Sequence, residues 1–149
     1  MANTVTGPTI QYDYDKKLIV YCSVLSDGSA SSTTLVDVSA LTTNNAKSCA
    51  HVALSKIWYT AGGGTDAPAS LDWDADTNVT FLTLSYDNMF DFSSIGGLIN
   101  TKATGYSGDV LFVIPSTSDA GNEYTVWCEF IKYYDCLLYT SDAADDLLC

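Results

Sequence analysis

Residues 71–112 read LDWDADTNVTFLTLSYDNMFDFSSIGGLINTKATGYSGDVLF. Two strand-length runs rich in β-branched and aromatic residues lie near its ends, VTFLTLS (79–85) and GDVLFVI (108–114), and Pro115 stops the second. Between them the chain is punctuated by Asp91-Phe92, the Gly96-Gly97-Leu98 step and the Gly105-to-Gly108 step. Short apolar runs separated by Gly and Asp turns are the pattern of an antiparallel all-β protein. The Gly96-Gly97 pair is read as a backbone requirement, either a positive φ or the close approach of another strand.

The flanking sequence extends the pattern. Upstream, KLIVYCSVL (17–25) is a strand apolar enough to be covered on both faces. SDGSASSTT (26–34) reads as a loop, and Leu35 to Val38 as a short strand. CAHVALSKIWYT (49–60) alternates, which predicts Val52, Leu54, Lys56 and Trp58 on one side and Ala53, Ser55, Ile57 and Tyr59 on the other. AGGGTDAPA (61–69) is an exposed loop, followed by a short strand with Leu71 and Trp73 on one face. Met89 to Phe92 is a further strand, and EYTVWCEFIKYY (123–134) places Tyr124, Val126, Cys128 and Phe130 opposite Thr125, Trp127, Glu129 and Ile131. The opening MANTVTGPT is polar and predicts an arm or edge segment. About eight strands at short spacing predict an all-β, antiparallel β-sandwich of jelly-roll type in a single domain over residues 1–135.

Residues 136–149 stand apart. CLLYTSDAADD (136–146) resembles the translation of a sequencing adapter read through in frame, and the segment is set aside from fold reasoning as non-native. The whole chain carries a formal charge of −12; setting aside Asp142, Asp145 and Asp146 leaves fifteen acidic residues against six lysines, a charge of −9. There is no arginine, and the lysines (Lys16, Lys17, Lys47, Lys56, Lys102, Lys132) are mostly isolated. That balance disfavours nucleic acid and anionic membranes as partners, because both need clustered cations. Cys22, Cys49 and Cys128 form no CxxC pair, and Cys22 and Cys128 sit inside strand runs. They read as small buried hydrophobes of a protein made in a reducing cytoplasm, with no signal peptide expected from the polar start.

No catalytic constellation emerges. Asp72, Asp74 and Asp76 invite calcium, but an EF-hand loop starting at Asp72 would need Gly and Glu where Thr77 and Thr83 stand. His51 is the only histidine, so a zinc set or a triad has no support. AGGG (61–64) lacks the Lys-Ser/Thr ending of a phosphate loop, and GYSG (105–108) lacks the spacing of a nucleophile elbow. Trp58, Tyr59, Tyr86 and Tyr106 could form a sugar-stacking platform, although aromatic residues more often fill cores and subunit contacts. No catalytic, cofactor-binding or metal-binding residue is assigned, and no cofactor is expected.

Four blocks carry a resemblance: Met1-Ala2-Asn3 at the start, Asp37 to Leu41 (DVSAL), Leu71 to Ala75 (LDWDA), and Phe92 to Asp109 with its Gly96-Gly97-Leu98 and Gly108-Asp109 steps. With the closing strand carrying Lys132, the chain resembles a family of small virion-associated proteins of tailed bacteriophages, common in marine phages. The resemblance covers nearly all of residues 1–135, and the aromatic content and the 61–69 loop depart from it. It implies a non-enzymatic virion structural protein that decorates or stabilises the particle, made in the bacterial host cytoplasm and partnered by other virion proteins or its own copies. The alternative is a β-sandwich module that binds a host-surface glycan or a calcium-dependent ligand.

Overall fold

The computed structural model describes residues 2–134 and contains nine strands. They are β1 (Thr4–Tyr14), β2 (Lys17–Asp27), β3 (Ser31–Val36), β4 (Cys49–Ala61), β5 (Ala69–Trp73), β6 (Val79–Leu84), β7 (Asn88–Asp91), β8 (Val110–Ile114) and β9 (Ala120–Tyr134). One sheet has the order β1-β2-β9-β4-β7 and the other β3-β8-β5-β6, with every pairing antiparallel. Among consecutive strands only β1–β2 and β5–β6 pair with each other; every other connection crosses between the sheets. Without β1, the orders β2-β9-β4-β7 and β3-β8-β5-β6 are those of a jelly roll, in which two Greek keys wrap one core. The all-β sandwich expected from the sequence is therefore the fold observed. Residues 136–149, read as adapter sequence, lie outside the described residues.

Of the two alternatives expected for the opening, arm or edge segment, β1 takes the second, an eleven-residue edge strand, while β3 departs from expectation by occupying part of the stretch read as a loop. Both are edges with a single neighbour, β2 for β1 and β8 for β3; β1 is almost wholly unburied, and β3 buries only Leu35 and Val36 at its end, so no long apolar run marks either. β1 tolerates Gly7-Pro8, joined by a cis peptide bond, because its register with β2 slips between Thr6 and Thr9 at an edge where no second strand needs the missing N–H.

The core is written most clearly on β9. Tyr124, Val126, Cys128 and Phe130 are fully buried and alternate with outward-facing residues, as the sequence pattern predicts. Leu18, Val20, Cys22 and Val24 of β2 line up beside them, and Leu71, Trp73, Phe112 and Ile114 of the second sheet close over the top. Each such side chain contributes about 1.5–3 kcal/mol by leaving water. β4 corrects the predicted alternation. Its register against β9 steps from Leu54–Phe130 to Lys56–Glu129, so Ser55 is an extra residue in a β-bulge. The bulge reverses the faces: Val52 and Leu54 point inward before it, and Ile57, Tyr59 and Ala61 after it, leaving Trp58 outside.

The inner row of β9 continues into a charge. Lys132 is buried, and its Nζ donates to Asp13 Oδ1 at 2.5 Å, to Thr42 O at 3.0 Å and to Thr42 Oγ1 at 3.1 Å. Thr42 N–H and Oγ1–H also donate to Asp13, at 2.8 and 3.0 Å. The cluster ties the β1–β2 hairpin and the β3–β4 connection to the centre of the sheet. Burial alone would raise the Asp13 carboxyl, but the hydrogen bonds from Lys132 and Thr42 outweigh it and hold it below 3.8. Burial alone would lower Lys132, but its bonding to Asp13 and Tyr134 lifts it above 10.5. For Asp13 the stabilisation is complete above 3.8 and lost as pH falls through its lowered value; for Lys132 it is complete below 10.5 and lost as pH rises through its raised one. Lys132→Ala, which strands Asp13, is expected to cost about 3–5 kcal/mol in denaturant titration at neutral pH. The double variant Asp13→Leu/Lys132→Met should recover most of that loss and flatten the acid limb of the stability–pH curve. An unchanged midpoint in Lys132→Ala would show that the cluster adds nothing.

Candidate interaction surface

The 71–112 stretch is organised by its aspartates, most of whose carboxylates accept from backbone N–H groups or hydroxyls. Asp72 accepts from Ser70 Oγ at 2.9 Å and Thr80 Oγ1 at 2.8 Å, while Asp74 accepts from Ser107 Oγ at 2.6 Å. Asp76 N–H donates to Thr104 O, and Gly105 packs against the Asp76 carboxylate so closely that a Cβ there would collide with it. Asp109 accepts from Val38 N–H at 2.9 Å; burial first, then the nearby Asp37 and Asp74, push its carboxyl upward. Asp74 and Asp76 thus fasten the β7–β8 connection to the β5–β6 turn, while Asp72 links β5 to β6. No group of three or more His, Cys, Asp or Glu residues converges on a metal-sized site among the described residues. Gly97 is required where the connection pairs with β4: its φ is +89°, a Cβ would lie 2.9 Å from Leu54 O, and Leu98 exchanges backbone hydrogen bonds with Leu54 at 2.8 and 3.0 Å.

The four aromatic residues singled out in the sequence do not meet. Tyr59 is buried on the inner face, its hydroxyl donating to Ser85 O at 3.2 Å. Tyr86 is exposed in the β6–β7 turn, and Tyr106 is exposed in the β7–β8 connection. Only Trp58 faces out from the five-stranded sheet. The 61–69 loop is not free either, since Ala67 is buried and Tyr124 Oη donates to Ala67 O at 2.8 Å. His51 lies flat against Tyr133, with ring centroids 4.9 Å apart.

The register assembles a different aromatic group. Thr9 pairs with Tyr21, Tyr21 with Trp127, Trp127 with Trp58 and Trp58 with Met89, one residue from each strand of the five-stranded sheet. All stand on its outer face. Trp58 and Trp127 meet edge to face, with centroids 4.6 Å apart and planes at 66°. Trp127 Nε1–H donates to Gln11 Oε1 at 2.6 Å, which fixes the indole. A hydroxyl row, Ser23–Thr125–Thr60, borders the ladder on one side. A charged row, Glu129–Lys56–Asp91, borders it on the other. Tyr21 and Trp127 were not predicted as site residues; alternation in 123–134 sets Trp127 opposite the Tyr124 row without saying what it meets, and the continuous apolar run 17–25 assigned Tyr21 to no face.

A second exposed surface follows the β1 edge. Val5, Ile10, Tyr12 and Tyr14 are exposed large hydrophobic residues on this one strand. Beside it a groove of about 410 Å³ opens between the sheets, lined by Pro8, Ile10, Val20, Leu35 and Leu41 among others. No helix of the described residues is long and apolar enough to cross a membrane. Comparison with protein-family models, curated proteins and solved structures finds no match to the chain.

Cys22, Cys49 and Cys128 are free and buried. Burial pushes the Cys22 and Cys49 thiols up to about 11, and burial together with the nearby Cys22 raises Cys128 as well. At about pH 8, where an ordinary thiol reacts readily, these three should stay unmodified by a thiol reagent in the native protein and react on denaturation. Peptide mapping by mass spectrometry reads this directly; native labelling of Cys22 or Cys128 would contradict the packing around β9.

Proposed function

We propose that the protein is a non-enzymatic structural component of a tailed-bacteriophage particle, which decorates or stabilises it through contacts with other virion proteins or with its own copies. The observation that carries the reading is the β1 edge. Eleven residues long, it pairs on one side only and sets Ile10, Tyr12 and Tyr14 in the open. Gly7-Pro8 and two register slips interrupt it, yet the rest of an edge of that length still offers unpaired N–H and C=O groups to another chain, and its exposed face is apolar. On an assembly component the same edge is a means of repeated association. The sequence blocks that resemble the phage family add their weight, and the jelly roll is compatible with the reading without implying it, since fold alone does not specify function.

The test is mass spectrometry of purified particles from a phage that encodes the chain, where the protein is expected in stoichiometric amounts. Its absence would overturn the reading. Ile10→Asp together with Tyr12→Asp should lower incorporation while leaving the melting temperature of the isolated protein nearly unchanged, because both side chains are already exposed.

A further inference from the structure

The outer ladder of the five-stranded sheet has the chemistry of a ligand platform rather than of a leftover core face. Trp58 and Trp127 are held at 66° to one another, and the Trp127 indole is fixed by Gln11, so a ligand meets rings that lose little freedom on binding. With Met89, Thr60, Thr125 and Asn88 they enclose a concavity of about 510 Å³ on the sheet surface. Polar groups rim it: the hydroxyls of Thr125 and Thr60, and the carboxylate of Asp87 beside Asn88.

Size and charge select the occupant. From Tyr21 to Met89 the ladder crosses three strand intervals, about 14 Å at ~4.8 Å each, and it is a single row wide. Such a strip offers roughly 100–200 Å², against the ~800 Å² per partner of a stable protein interface. A second copy of the chain would not be held by it. Nor does it suit an anion: Lys56 stands between Glu129 and Asp91, Lys17 lies 3.5 Å from Glu129, and the chain as a whole carries −12. What remains is a small neutral ligand with one C–H face and a polar perimeter. We propose that the outer face of the five-stranded sheet binds neutral pyranose sugars, the C–H face of one ring stacked on the exposed Trp58 indole, with Trp127 standing at an angle against its side and the sugar hydroxyls directed to Thr60, Thr125, Asp87 and Asn88. The polarised C–H bonds of the sugar meet the negative face of the indole, while the hydroxyls exchange water for the rim.

This inference goes beyond particle membership and does not rest on it: sugar binding by the isolated protein and detection in particles succeed or fail separately. The experiment titrates the full chain with cellotetraose, lactose and N,N′-diacetylchitobiose, reading tryptophan fluorescence and saturation-transfer NMR, with sedimentation velocity on the same samples. At least one sugar should give a saturable change, weakened about tenfold or more by Trp58→Ala, equivalent to ~1.4 kcal/mol. Met89→Ala, at the open end of the ladder, should weaken it less and serves as the variant of choice if Trp58→Ala changes the circular dichroism. No response to any of the three sugars at about 10 mM, a range that detects affinities weaker than 1 mM, would overturn the proposal. So would binding that survives both variants, or a dimer of the wild-type protein that Trp58→Ala dissolves, which would assign the ladder to a second copy.

Discussion

The sandwich depends on β9 being paired along both edges at once. Its fifteen residues run between β2 and β4, and its inner row faces the whole of the second sheet. From Tyr124 to Ile131 it is paired on both sides, so it cannot slip by one residue without turning Tyr124, Val126, Cys128 and Phe130 out to water and Trp127 in. Register is therefore set at the centre and inherited outward, to β1 through β2 and to β7 through β4. The same inheritance creates the outer ladder: once β9 is fixed, Tyr21, Trp127, Trp58 and Met89 have no choice but to align.

Against this, burying Lys132 at the end of the same row looks costly. A lone ammonium there would be strongly unfavourable, and the arrangement is tolerated because Asp13 and Thr42 supply its partners. The gain is specificity of closure more than net energy. The β1–β2 hairpin and the segment after the short 3-10 helix at Val38–Ala40 could each rest on the sandwich in several ways, and the charge cluster admits one. Tyr134 reinforces it, its hydroxyl donating to Asp15 O and its ring lying 5.3 Å from Lys132 Nζ.

What the sequence revealed, and what it hid, divides along the same physical line. Strands with two neighbours bury one face against the core and show it: 17–25, 108–114 and 123–134 were legible because Leu18, Phe112 and Tyr124 sit in apolar alternation. Strands with one neighbour are released from that demand, so the opening showed no more than an arm or edge segment, and SSTT (31–34) read as loop while Leu35 and Val36 alone marked β3. The face of β4 was misread beyond Leu54 because a bulge costs one residue and leaves no signature in composition. The candidate site was harder still. Trp58 was visible as an aromatic of interest, but its partner Trp127 lies 69 positions away in the chain and is joined to it only by the pairing of β4 with β9. Tyr59, its sequence neighbour, belongs to the opposite face.

The carboxylates of 71–112 teach a related point about function. Clustered in sequence, Asp72, Asp74 and Asp76 suggest a shared cation, yet a strand followed by a turn sends successive side chains in different directions. Asp72 accepts from Ser70 and Thr80 across β5 and β6, Asp74 accepts from Ser107, and Asp76 donates its N–H to Thr104 O, so the last two fasten the β5–β6 turn to the Gly-rich connection. The aromatic residues do the reverse: scattered in sequence, they are gathered by register. What register and packing do bring together lies on two surfaces. The β1 edge offers backbone hydrogen bonds to another chain, while the ladder on the outer face offers ring faces with a hydroxylated rim. Edge and face present different groups in different directions, so one can be covered by a neighbour while the other stays open to solvent.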